Sequence, residues 1–184
     1  AQAQLNQDTG PNELQRDVSS ADAETVKELM SLPNTTQAQQ KIANEFFVIA
    51  SGMADALASD DFKKFNKQAA ELHAVLPALS DAFASDLERK KLIEPIKRAG
   101  HFPPANDLAT ARKFFVPFTM ATAEFAKSFR NETAFKSLKI YRCPMANQGV
   151  PDAPKNGLWI QTSGSLRNPF FGDAMLTCGS EVKP

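Results

Sequence analysis

Apolar and polar residues along this chain alternate with a helical period over most of its length, then lose that period near residue 134. After a polar, aperiodic stretch over residues 1–20 carrying Gly10-Pro11, which predicts a flexible tail or linker, Ser20 is placed to cap a short helix reaching about Leu32. Pro33-Asn34 stops it and Thr36 opens the next, whose apolar positions Ile42, Phe46, Ile49, Met53 and Leu57 form one buried stripe. Ser59-Asp60-Asp61 predicts a break and a new cap. The helix that follows carries Phe62, Phe65, Ala69, Leu72, Leu76 and Leu79, with Pro77 predicting a kink or a restart. A further amphipathic segment runs from Ala82 to Ala99 through Phe83, Leu87, Leu92 and Ile96, with Pro95 interrupting it near its end. After Gly100 and Pro103-Pro104, the most regular stripe follows: Leu108, Ala111, Phe115, Phe118, Thr122, Phe125 and Phe129, with a bend expected at Pro117.

Beyond residue 134, Leu138–Tyr141 and Leu158–Ile160 read as short strands among glycines and prolines. The expected fold class is therefore mainly α: a four-helix-bundle-like domain over residues 21–184, with a small turn-rich β segment (about 134–181) packed on it.

Composition narrows the function classes. Hydrophobic residues make up 42% and include 14 Phe but one Trp and one Tyr, enough for an aliphatic and phenylalanine core. Twenty-one basic residues offset twenty-one acidic ones, which leaves no electrostatic footprint for nucleic acid. No apolar run approaches the roughly 20 residues of a membrane span, so no membrane insertion is expected. The opening Ala-Gln-Ala-Gln predicts either a leader already removed or a piece of a longer exported protein. Catalytic signatures are missing: Ser163-Gly164-Ser165 does not make a nucleophile elbow, and there is no phosphate loop or zinc-protease run, so no enzyme is expected.

The remaining chemistry is sulfur. Cys143 and Met145 are two apart, which in an extended stretch places both on one face; Met175 and Cys178 are three apart, which brings them together over a turn. Two thiols and two thioethers converging would select copper(I) over zinc or magnesium. A Cys143–Cys178 disulfide is the competing reading; it would make the chain a structural or interaction domain, stabilised by roughly 4 kcal/mol on a chain-entropy argument. His73 and His101 are the only histidines, one on a helix and one in a loop, and each reads more readily as a boundary residue than as a ligand.

The runs Tyr141-Arg-Cys143-Pro-Met145-Ala-Asn147, Gly157-Leu-Trp159-Ile and Arg167-Asn168-Pro169-Phe-Phe-Gly172-Asp-Ala-Met175-Leu-Thr-Cys178-Gly179 resemble a family of bacterial periplasmic domains of uncharacterised function. That family is found alone or at the C-terminus of membrane-fusion adaptors of copper/silver-type efflux pumps. Arg112-Lys-Phe-Phe115-Val-Pro117-Phe118-Thr119 is similar to a run on the family's last helix, while the loop Val150–Asn156 is longer than the family pattern. The resemblance implies periplasmic metal handling, with Cys143, Met145, Met175 and Cys178 as ligands and an efflux adaptor or a metal carrier as partner. For Asn168-Pro169, Gly172, Gly179, Trp159, Phe170, Phe171 and Arg167 the expected roles are architectural: a turn, positive φ, a small core and an ion pair with a helix carboxylate.

Overall fold

A computed structural model describes residues 32–183; the expected tail over 1–20 and the helix from Ser20 lie outside the described residues. Four long helices are present: α1 (Gln37–Ala58), α2 (Phe62–Ala82), α3 (Leu87–Gly100) and α4 (Leu108–Lys127). A three-stranded antiparallel sheet follows, built from β1 (Lys139–Cys143), β2 (Gly157–Gln161) and β3 (Ser180–Glu181) in the order β2-β1-β3, with the one-turn helix α5 (Ala146–Gly149) between β1 and β2. The mainly α bundle with a small C-terminal sheet is thus the observed architecture. No described helix is long and apolar enough to cross a membrane.

Local chemistry starts each helix. Thr36 accepts from the Gln39 N–H (3.2 Å) and Gln39 Oε1 accepts from the Thr36 N–H (2.9 Å), closing a capping box at α1. Asp61, Asp86 and Asp107 each accept from a first-turn N–H of α2, α3 and α4. The three helix-interior prolines do not divide their helices: α2, α3 and α4 run through Pro77, Pro95 and Pro117. The carbonyls that Pro77 and Pro117 leave unbonded, at His73 and Lys113, belong to exposed residues. Water can satisfy them, so apolar packing on the opposite face outweighs the lost bond.

The expected Ala82–Ala99 segment is corrected in both its start and its phase. α2 ends at Ala82, α3 begins at Leu87 behind its Asp86 cap, and Leu87 is 65% exposed. The buried positions of α3 are Arg89, Ile93, Ile96 and Gly100, so an arginine occupies the core stripe. Arg89 is 1% exposed and spreads its guanidinium over four partners: Pro33 O (2.9 Å), Asp86 Oδ2 (2.8 Å), Ser128 O (3.1 Å) and Glu132 Oε1 (2.9 Å). It also lies 5.0 Å over the Phe129 ring. Glu132, itself buried, accepts from both the backbone N–H and the hydroxyl of Thr35. This polar knot ties the entrance of α1, the start of α3 and the exit of α4. Around it, Phe47, Phe83, Phe125, Phe129 and Phe135 pack edge-to-face or tilted.

The sheet lies across α4 and α1 with its β2 edge towards them. An open strand edge presents unpaired N–H and C=O groups, and here the helices close it. Thr119 Oγ1 donates to Leu158 O (3.0 Å), the Leu158 N–H meets Met120 Sδ (3.2 Å), and the Thr162 N–H reaches Ser51 Oγ (3.2 Å). Met120, half-buried on α4, thus uses its sulfur as an acceptor as well as packing its side chain. Opposite Cys143 in the β1–β2 register stands Gly157. A Cβ there would lie 2.5 Å from Ala146 Cβ and 2.7 Å from Phe170 Cζ. Gly157→Ala is therefore expected to destabilise by about 1–3 kcal/mol through overpacking; a urea midpoint equal to the parent's would refute this.

Candidate metal centre

The segment that carries both cysteines is held on the bundle by one stripe of α4. Arg112, Phe115 and Thr119, at i, i+3 and i+7, share a helix face. Arg112 Nε donates to Pro169 O (2.9 Å), while its Nη2 donates to Leu57 O (3.1 Å) and Asp60 Oδ1 (2.5 Å). Phe115 meets Phe170 at a centroid distance of 6.5 Å, and Thr119 holds β2. Asp60 and Asp61, expected together as a cap, divide the work. Asp61 caps α2, whereas Asp60, at φ 54°, aims its carboxylate at Arg112 and at the Asp173 N–H (3.3 Å). Gly172, at φ 59°, sits directly against this ion pair; a Cβ would be 2.5 Å from Arg112 Nη2.

Arg112→Lys is expected to loosen residues 167–176 selectively, since an ammonium cannot span three acceptors in a fixed plane. The amides of Asn168 and Gly172, bonded to Leu176 O and Asn168 O, should exchange at least about tenfold faster, the equivalent of losing one charged hydrogen bond. Unchanged exchange at both would refute the clamp.

The architectural expectations for this segment hold. Arg167 pairs with Asp55 on α1 (3.0 Å) and donates to Ser59 Oγ (2.7 Å). That arginine and Lys64 together hold the Asp55 carboxyl below the usual range, Lys64 contributing most. Asn168 is fully buried; its Oδ1 accepts from the Phe170 N–H (2.8 Å) and its Nδ2 donates to Cys178 O (2.7 Å). Trp159 and Phe170 are buried in T-shaped contact, with Tyr141 stacked on Trp159, while Phe171 is half-buried.

These restraints bring the two cysteines together. β1 pairs with β3 through Tyr141↔Glu181 and Arg142↔Ser180. Continuing that register sets Gly179 beside Cys143, with Cys178 one residue further. Gly179, at φ 145°, lets the chain turn there against Arg142 O and Trp159. Cys143 is fully buried and Cys178 half-buried, and their thiols are in hydrogen-bond contact. Burial first, then the charge and the hydrogen bond of Cys143, push the Cys178 thiol above its ordinary value.

The methionines are placed differently. β1 ends at Cys143, Pro144 turns, and Met145 caps α5 in a half-buried position, so Cys143 and Met145 do not share the face of one strand as expected. The proline removes a ladder donor at that point. Met175 ends a 3-10 turn (Gly172–Met175), and its carbonyl accepts from the Cys178 N–H (3.1 Å), which is the turn the three-residue spacing predicts. Its side chain is 38% exposed, one of only three large hydrophobic side chains outside among the described residues.

Fold and site together define a class: a four-helix bundle whose C-terminal sheet segment brings two thiols together, with Met145 and Met175 on the turns next to them in the chain. Compared with known families, curated proteins and solved structures, the chain matches none.

Proposed function

We propose that this protein is a soft-metal binding module that takes copper(I) as cargo through Cys143, Cys178, Met145 and Met175 and passes it on by ligand exchange. The observation that carries this reading is the pair of contacting thiols beside a methionine left in solvent. Exposure alone is ordinary, as Val48 and Leu87 show; what distinguishes Met175 is a soft thioether open to solvent one turn before Cys178, where it can meet an incoming ion. Soft thiolate and thioether donors match copper(I) and its analogue silver(I). The motif resemblance points the same way, to the periplasm and to an efflux adaptor or metal carrier as the partner.

Burial orders the exchange. Met175 and Cys178 face the approach side and receive the ion; Cys143, inside, completes the site. Release runs in reverse to a partner offering its own sulfur donors. A purely structural Cys143–Cys178 clasp draws on the same thiol contact but leaves the exposed thioether without a role.

The test is an anaerobic titration of the reduced protein with copper(I) against a competing chelator, with X-ray absorption on the loaded form. One ion per chain in a sulfur-only shell is expected; no uptake by a fully reduced, folded chain would refute the reading. Loading must also expel the Cys178 proton, because a raised thiol is protonated at neutral pH. Apparent affinity should therefore climb by up to about tenfold per pH unit between pH 6 and 8 for each proton released. A flat profile would mean that Cys178 is not a ligand.

A further inference from the structure

The two histidines, 28 positions apart in the chain, are stacked on one another where α2 meets the end of α3. Their ring centroids are 5.6 Å apart, His73 on α2 and His101 at the C-cap of α3. His73 Nε2 lies 2.9 Å from Gly100 O. A carbonyl only accepts, so Nε2 carries the proton of this bond, and in the neutral ring Nδ1 keeps its lone pair. This is the arrangement that orients metal-binding imidazoles: one nitrogen donates to a backbone carbonyl and the other is left to bind. The His73 ring is further steadied by a T-shaped contact with Phe102 at 6.1 Å, and Phe102 is stacked between Phe65 and Phe114. Both histidines are exposed, so His101 is free to turn towards its neighbour.

The geometry points to a second metal site, in which His73 Nδ1 and one ring nitrogen of His101 chelate a borderline divalent cation, copper(II) foremost. Two nitrogen–metal bonds of about 2.0–2.1 Å, with roughly 1 Å more from each nitrogen to its ring centre, span up to about 6 Å. The observed separation falls within that reach; because the rings are stacked, with planes 26° apart, and a ring nitrogen's lone pair lies in the ring plane, closing the chelate requires the exposed His101 ring to turn its edge towards His73. Imidazole suits copper(II), nickel(II) and zinc(II), and copper(II) binds most tightly in that series. Among the described residues no group of three or more His, Cys, Asp or Glu is placed to hold a metal, so water completes the shell and the ion exchanges readily. This site is separate from the sulfur centre and does not depend on it.

The chain's having two histidines makes the test direct. Long-range 1H–15N spectra of the ring nitrogens of the intact reduced protein, first saturated with silver(I), contain two spin systems, assigned with His73→Gln. Zinc(II) is the diamagnetic probe. Both rings are expected to shift together with one midpoint at one equivalent, with Nδ1 of His73 the nitrogen affected. His73→Gln and His101→Gln should each weaken binding at least tenfold. Copper(II) added to the Cys143→Ala/Cys178→Ala variant should give an electron paramagnetic resonance spectrum with two nitrogen couplings, falling to one in either glutamine variant. Shifts in one ring only, separate midpoints, or an affinity untouched by both substitutions would overturn the site. Folding of the glutamine variants is checked by circular dichroism; because both side chains are exposed, loss of metal with the fold intact isolates the chelate from the ring stack.

Discussion

Replacing either cysteine with serine is expected to lower copper(I) affinity by at least about 100-fold, beyond the 10–100-fold typical of losing an outer-shell partner. A hydroxyl is a hard donor and a poor substitute for a thiolate toward a soft ion. The two substitutions should differ in everything else. Cys178 is half-buried, so Cys178→Ser should leave the melting temperature close to the parent's. Cys143 is fully buried on the sheet, and a hydroxyl there has only the weakly bonding Cys178 sulfur to replace its lost hydration, which adds roughly 1–3 kcal/mol of instability. Cys143→Ala avoids that cost and should lose the metal just as completely. Met175→Leu keeps the bulk of an exposed side chain and removes the thioether, so a smaller loss, on the order of tenfold, is expected with no change in stability. If instead both cysteine variants lost equal stability under oxidising conditions and bound copper(I) like the parent, the pair would be a clasp and the module reading would fall. Competition titrations on the four variants and the parent, paired with thermal melts, decide this.

The largest effect on stability is expected from the Arg89–Glu132 knot. Arg89→Met removes the cation that neutralises Glu132, leaving a carboxylate that is 6% exposed with only Thr35 to bond it. Breaking one side of a buried pair costs about 3–5 kcal/mol, a large share of the 5–15 kcal/mol that holds a typical domain folded. Glu132→Gln should cost less, because Asp86 still faces Arg89 and the amide still offers Thr35 an acceptor. The double variant Arg89→Met/Glu132→Gln should recover part of the single-variant loss, since no uncompensated charge is left inside. Urea unfolding of the three variants measures the coupling, and strictly additive losses would show that the pair acts as two independent groups. Arg89→Met affects the bundle at the entrances of α1 and α3, away from the cysteines, so copper(I) stoichiometry in its folded fraction should stay at one.

Local rules carry a long way here. Capping at Thr36 and Asp61, together with the apolar stripes of α1, α2 and α4, depends on neighbours within one helical turn and is legible in the sequence, whereas the caps at Asp86 and Asp107 are seen only in the structure. The loss of period near residue 134 likewise marked the passage from bundle to sheet. The same reasoning failed on α3, where Leu87 looked like core and is exposed while Arg89 is buried. A charged residue in a buried stripe is legible only when its partner is known, and Glu132 lies 43 positions away. Asp60 was hidden for the same reason: beside Asp61 it resembles a second capping carboxylate, and only Arg112, 52 residues on, gives it another use.

At the candidate site, residue type and spacing chose the four sulfurs, and the turn between Met175 and Cys178 followed from three-residue spacing alone. What only the tertiary structure decided is which sulfurs meet. The β1–β3 register, the Asn168 bond to Cys178 O and the stripe Arg112, Phe115 and Thr119 place the thiols in contact, while Met145 turns away from the strand and Met175 stays outside. The meeting of His73 with His101 is likewise a product of helix packing. The physical reason is common to all of these. Periodicity and capping are governed by energies within a turn or a strand pair, whereas juxtaposition across 28 to 113 residues is set by how finished elements bury their faces against one another.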